Sequence, residues 1–219
     1  MTPLKHKIYL DKIPAQGRFG AIRKHDIHTG VDLHCPEFAL VYAMETGTVV
    51  NICPFTGDDA GSPWWNDTSA VLIKGRSGIV LYGEVGLIKV KVGDRVTKGD
   101  NFACVFKVLK NDKGLPTSML HVELYHKDYI GDGEWWKHDE PQPRHLKNVE
   151  AMLKRVDERN DPYLQMKKRG LTDAEIADGT VFDASYYMEP LEAERSGKEI
   201  MEEFRKHRQK MKNEIEAGN

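Results

Sequence analysis

Histidine and carboxylate side chains do metal chemistry together when the chain holds them within one coordination sphere, and two stretches of this sequence offer that. In the first, His28-Thr29-Gly30-Val31-Asp32 sets an imidazole and a carboxylate four residues apart. Thr, Gly and Val disfavour a helix here. A straight strand would separate the pair by roughly 13 Å, too far for ligands about 2.0–2.2 Å from one ion. The segment must therefore bend, and Gly30 at its centre permits that. In the second stretch, Met119 to Tyr125, residues alternate. Leu120, Val122 and Leu124 make an apolar face fit for a core, and Met119, His121, Glu123 and Tyr125 point the other way. An imidazole on a polar face beside a carboxylate is well placed to bind a metal. Taken singly neither stretch is specific, because the chain has nine histidines and 34 acidic residues and H-x-x-x-D recurs by chance.

Taken together, and with the residues between them, the two stretches resemble the lysostaphin/LytM-type zinc metallopeptidases, a family of peptidoglycan endopeptidases. Phe19-Gly20 and Arg23 stand ahead of the His28–Asp32 motif as in that family. Val41-Tyr42-Ala43, Gly47 and Val49 match its V-Y-A-x-x-x-G-x-V hairpin. Val90, Gly93-Asp94, Val96 and Gly99-Asp100 match its V-x-x-G-D-x-V-x-x-G-D pattern, and Met119-Leu120-His121 falls where the family has H-x-H. The resemblance spans about residues 17–125 in the right order. It implies one zinc ion (Zn2+) held by His28, Asp32 and His121.

The chain departs from the family where catalysis is decided. The two non-ligand histidines that flank the bound water in active members are replaced, the one after tyrosine-alanine by Glu84 and the first of H-x-H by Met119. Met119 can neither take a proton nor donate a hydrogen bond to a developing oxyanion. Glu84 can act as a base, as non-ligating glutamates do in other zinc hydrolases. The resemblance therefore implies a zinc-dependent endopeptidase cleaving peptide bonds of bacterial peptidoglycan with Glu84 as base. The alternative is a catalytically inactive, zinc-stabilised binding or regulatory module of the same fold. Alternation over residues 79–85 is expected to put Val80, Tyr82 and Glu84 on one face, toward the metal. Tyr82, Met119, Glu123 and Tyr125 are candidates for lining a substrate groove. Trp64 and Trp65 join them, from a long polar loop expected over residues 51–70. His34, which alternates to the side of Asp32, is a candidate to support the ligands from behind. A carrier domain of the biotinyl or lipoyl type is set aside, since the hairpin tip Met44-Glu45-Thr46 has no lysine.

The elements that must position these residues are short. Residues 40–43, 47–53, 70–74, 79–85, 87–92, 101–108 and 119–125 are β-branched runs of strand length bounded by Gly, Asp, Asn or Pro. Segments 40–52 and 91–105 echo one another, each with a glycine between β-branched residues. The expected fold is mainly β: a duplicated-hybrid-motif barrel-sandwich β domain with a helical C-terminal extension. The composition changes at Pro141-Gln142-Pro143, which divides the chain into a zinc-binding β domain over residues 1–146 and a helical extension over 147–219. Within the extension, residues 149–159 and 190–216 read as helices, and Thr172 with Glu175 makes a capping box. The narrow apolar stripe Ile200, Phe204, Met211, Ile215 either packs on the chain's own domain or pairs with a partner chain.

Formal net charge is −2 over 219 residues, so nothing global points to nucleic acid or to an anionic membrane. No stretch approaches the roughly 20 apolar residues of a membrane helix. Three widely spaced cysteines, Cys35, Cys53 and Cys104, are no disulfide framework and read as thiols packed like small apolar residues. The expected partner is peptidoglycan or another peptide substrate. The first fifteen residues lack a signal-peptide core, so synthesis in the cytoplasm is expected, with a phage virion or release at host lysis as the route to a wall.

Overall fold

The computed structural model describes residues 3–4, 13–110 and 118–154. The expected capping box at Thr172, the helix over 190–216 and most of the helical extension lie outside the described residues. What is described is mainly β, as the sequence implies. Nine strands form one antiparallel network: β1 (Val31–His34), β2 (Leu40–Tyr42), β3 (Gly47–Thr56), β4 (Thr68–Gly75), β5 (Ile79–Gly86), β6 (Arg95–Val96), β7 (Asn101–Val105), β8 (Met119–Tyr125) and β9 (Leu146–Lys147). The main path runs β1-β8-β5-β4-β3-β6, with β2 joined to β7, β7 to β5 and β9 to β8.

Alternation writes the two faces of this sheet. Val31, Leu33, Val71, Ile73, Val80, Tyr82, Leu120, Val122 and Leu124 share one buried cluster. Ala70, Leu72, Ile79, Leu81 and Tyr125 belong to a second. Asp32, His121 and Glu123 alternate onto the side of the second cluster, so the first is the floor under the polar site. The two echoing segments lie against each other. Leu40 pairs with Cys104 and Tyr42 with Asn101, while Gly47 pairs with Val96 and Thr48 with Arg95. Between these rungs the connecting turns are tied by Ala43 N–H to Asp100 O at 3.0 Å and Gly99 N–H to Ala43 O at 2.9 Å.

Three expectations change. Residues 87–92 are not a strand: Leu87 has φ 46, which ends β5, and only Lys89 N–H reaches across, to Phe102 O. The expected loop over 51–70 is in large part strand, because β3 runs on through Pro54 and Phe55 to Thr56 and β4 starts at Thr68. Its turn is closed by Thr56 Oγ1 and Thr68 Oγ1, 2.7 Å apart.

The third change concerns β5. Tyr82 and Val85 are three residues apart yet enter the same core cluster, so the alternation slips by one between them. The slip falls at Gly83-Glu84, where β4 skips from Ser69↔Val85 to Val71↔Tyr82 and Glu84 takes φ 61. A bulge of this kind inserts an extra residue and re-aims its side chain. There β5 also changes partner, leaving β8 after Gly83↔His121 and taking up β7 at Val85↔Val105. Glu84 therefore does not share a face with Val80 and Tyr82.

Beyond β8 the chain returns to the sheet at Leu146–Lys147, and residues 150–154 begin a helix whose Glu150 N–H is capped by Asn148 Oδ1 at 2.8 Å. Val149, Met152 and Leu153 are buried in the main core. Cys35, Cys53 and Cys104 form no disulfide; burial pushes the Cys35 thiol up to about 12 and Cys53 up to about 11, which suits packed, unreactive sulfurs.

Candidate functional site

His28 stands just before β1, on a turn locked by Gly20 N–H to His28 O at 2.8 Å and His28 N–H to Ala21 O at 2.9 Å. Its Nδ1 lies 2.9 Å from Arg18 O. A carbonyl can only accept, so Nδ1 carries the proton and the Nε2 lone pair faces inward. Asp32 and His121 are cross-strand partners on β1 and β8. Asp32 Oδ1 is 3.1 Å from His28 Nε2 and 2.8 Å from His121 Nδ1, and the two histidine nitrogens are 3.2 Å apart. Side chains of His28, Asp32 and His121 are all buried. Ligands about 2.0–2.1 Å from a tetrahedral ion stand about 3.3 Å apart, so this triangle needs to open by only a few tenths of an ångström to hold zinc. Two imidazoles and one carboxylate are also the donor set that zinc takes in hydrolytic sites.

Each donor is braced from behind. Asp32 Oδ2 accepts from the Arg23 guanidinium, which also donates to Gln16 O at 3.0 and 2.9 Å. His121 Nε2 is 3.0 Å from Glu123 Oε1, and Glu123 accepts in addition from the hydroxyls of Thr29 and Tyr125. Histidine ligands are commonly oriented by such a carboxylate on the far nitrogen. Gly30 is required for closeness: a Cβ there would lie 2.4 Å from Val122 O and 2.8 Å from the His121 ring. Gly30 thus does more than let the segment bend. On the other side, Phe55 lies 5.3 Å ring to ring from His121, in space that Gly83 leaves open.

Electrostatics follow from burial and these partners. Burial alone would lower His121, but hydrogen bonds and charge from Asp32 and Glu123 outweigh it and push the imidazole up to about 10. Asp32 is held well below the usual carboxylate range, since its bonds to His121 and His28 overcome the cost of burial. Glu123 is lowered for the same reason, chiefly by His121. Burial lowers His28, with Asp32 opposing.

Glu84 is the exception. It is buried, its Oε2 has no hydrogen-bond partner among the described residues, and burial followed by the Asp32 charge pushes its carboxyl up to about 8. It is not among the atoms that gather within 4.8 Å of one another, which are those of His28, Asp32 and His121.

Other residues singled out in the sequence fall elsewhere. Tyr82 lines no groove: it is buried against Phe102, and its hydroxyl accepts Met44 N–H at 3.0 Å. Tyr125 is buried too, stacked on Tyr129 with centroids 4.0 Å apart, its hydroxyl committed to Glu123 and Glu134 N–H. Glu123 is a brace for His121, not groove lining. Both corrections share a cause, since the Tyr125 end of the polar face of β8 is covered by Tyr129 and by the backbone at Glu134. Met119 is half-buried at the start of β8, opposite His34. Trp64 and Trp65 are exposed, in edge contact with each other at 6.1 Å, and Trp65 bridges to Leu109. Among the described residues they make no ring contact with the site. Trp136 packs on Phe19, and its carbonyl accepts Ile27 N–H, which anchors the segment ahead of His28. The sequence reading missed Phe55 and the role of Arg18 O. A backbone carbonyl leaves no signature in residue types, whereas Gly83 beside a histidine strand was a usable hint of a close ring.

No curated protein matches this chain. Among solved structures, the chain is similar to a structure titled as an M23 peptidase from Pseudomonas aeruginosa, at 18% identity and TM-score 0.37, covering 57% of this chain and 43% of that one. It is similar to CbpA from L. salivarius REN at 16% identity and TM-score 0.45, covering 70% and 92%. A zinc-containing peptidase from Vibrio cholerae is similar at 21% identity and TM-score 0.39, covering 58% and 37%. The chain thus spans less than half the length of the Pseudomonas and Vibrio proteins. The family assignment rests instead on the sequence profile, which residues 26–132 match and which takes in all three donor residues and Glu84. That segment is a domain of peptidase family M23.

Proposed function

We propose that the site holds one zinc ion through His28 Nε2, Asp32 Oδ1 and His121 Nδ1, and hydrolyses a peptide bond of bacterial peptidoglycan. The observation that carries this reading is the buried triangle of 2.8, 3.1 and 3.2 Å in a peptidase-family domain, with an unpartnered carboxyl beside it. Bound there, zinc supplies a water acidified to a pKa of about 7 and a Lewis acid for the scissile carbonyl. The rest belongs to the chain's own residues. Arg23 keeps Oδ1 of Asp32 turned inward, and Glu123 fixes the His121 tautomer that presents Nδ1. Glu84 takes a proton from water as its oxygen bonds to the carbonyl carbon. It then delivers that proton to the amide nitrogen as the C–N bond breaks, so one water is consumed and a carboxyl and an amine appear. A divalent charge nearby favours the ionised form of Glu84, which burial disfavours. Glu84 stands outside the gathered donor atoms, so His28, Asp32 and His121 alone would hold the ion, the three-ligand set of hydrolytic zinc sites.

Met119 favours the other reading, a zinc-braced binding module, because a thioether gives a developing oxyanion no hydrogen bond. The two separate on one experiment. Zinc-loaded protein on purified peptidoglycan should release new amino termini, and a chelator should stop the release. Zinc-loaded protein that releases none overturns the catalytic reading and leaves the binding module.

A further inference from the structure

Addition of water to a carbonyl puts charge on its oxygen, and a hydrogen-bond donor aimed there is worth about 10²–10³ in rate. The imidazoles and hydroxyls that touch the three metal donors are already committed. The hydroxyls of Thr29 and Tyr125 both donate to Glu123, the outward nitrogens of His28 and His121 are bonded to Arg18 O and Glu123, and Arg23 spends Nε and Nη2 on Gln16 O and Asp32. The next rung outward on the same two strands is different. After Asp32↔His121 and Leu33↔Leu120 comes His34↔Met119. Val31, Leu33, Leu120 and Val122 are all in the core beneath, so His34 and Met119 alternate onto the face that carries Asp32 and His121. His34 is exposed, and its side chain makes no hydrogen bond or ion pair among the described residues. Two residues along a strand is about 6.6–6.8 Å, the distance from which an imidazole N–H reaches an oxygen lying against an ion held by Asp32. Facing Cβ atoms of adjacent strands stand about 4.5–5.5 Å apart, so His34 and Met119 serve one locus from opposite sides.

We propose that His34 is a catalytic residue: its imidazole N–H donates to the scissile carbonyl oxygen as water adds, from the strand opposite Met119. This rests on the zinc-peptidase reading, and the test keeps the two apart. Full-length zinc-loaded protein, wild type and variants, is assayed on peptidoglycan and titrated calorimetrically with the phosphinic analogue of tetraalanine, whose tetrahedral oxygens mimic the charged carbonyl oxygen. His34→Ala should lower kcat about 10²–10³-fold with KM nearly unchanged. It should also weaken phosphinate binding at least tenfold while zinc content and Tm stay at wild-type values. His34→Gln, which keeps a donor, should recover part of both, and Met119→His placed in the His34→Ala chain should restore phosphinate binding from the facing strand. If the wild type cuts nothing but binds the phosphinate in a His34-dependent way, the hydrolytic reading fails and the donor role of His34 stands. Wild-type phosphinate affinity in His34→Ala, or no phosphinate binding by the wild type, overturns the proposal.

Discussion

At the scale of single residues, the site is a balance between burial and partners, and Glu84 is where the balance is left open. Its carboxyl is buried without a hydrogen bond at Oε2, and it is pushed up from an ordinary 4.5 to about 8. Because the native pKa lies above the unfolded one, the protonated form stabilises the metal-free fold below about pH 4.5, and that stability is lost as pH rises through about 8. Metal-free protein should therefore unfold more readily at pH 8 than at pH 5, and Glu84→Gln should make that decline shallower; equal slopes in urea melts of the two proteins would contradict the assignment. With zinc bound, the same substitution should leave metal content intact and cut hydrolysis about 10²–10⁴-fold, the usual contribution of a positioned base. Glu123 predicts the opposite pattern. Glu123→Ala removes the brace on His121 Nε2, so zinc affinity, measured by competition with a chromogenic chelator, should fall about 10–100-fold.

At the scale of elements, glycines and one bulge decide what the strands can present. The spacing of His28 and Asp32 showed that the chain must bend between them, and alternation in β8 correctly put His121 and Glu123 on one side and Leu120 and Val122 on the other. What could not be read was that Tyr129 and Glu134 cover the Tyr125 end of the polar side of β8, which turns Glu123 and Tyr125 from groove lining into support. Alternation also failed at Glu84, since a bulge at Gly83-Glu84 depends on where β8 ends and β7 begins beside β5, a matter of tertiary pairing that β5 alone does not encode. Gly30 offers the sharpest test at this scale. Its Cβ position is filled by the Val122 carbonyl and the His121 ring, and backbone cannot step aside cheaply. Gly30→Ala should cost about 1–3 kcal/mol of stability and lower zinc occupancy together. A variant with wild-type Tm and full zinc would show that β8 sits farther from this turn.

At the scale of the whole molecule, the β domain is closed by sequence well past the residues that match the family profile. Leu146–Lys147 pairs with β8, and Val149, Met152 and Leu153 complete the core under the site. Arg18, whose carbonyl orients His28, grips Glu150 through two bonds of 2.9 and 2.7 Å. Leu153 is fully buried, so Leu153→Ala should destabilise the protein by about 2–5 kcal/mol, read as a lower urea midpoint. The mainly β class was legible because alternation and glycine punctuation are local signals, and the three metal-binding candidates were legible because the resemblance to the lysostaphin/LytM-type peptidases matches them residue by residue. The composition break at Pro141–Pro143 marked a change of residue type, while packing of the next dozen residues onto the core is settled by contacts that composition does not carry. The central claim is that one zinc is held jointly by His28, Asp32 and His121, and metal analysis of purified protein by mass spectrometry tests it most directly. The wild type should carry one zinc per chain and His121→Ala almost none, whereas wild-type zinc content in His121→Ala would contradict the account.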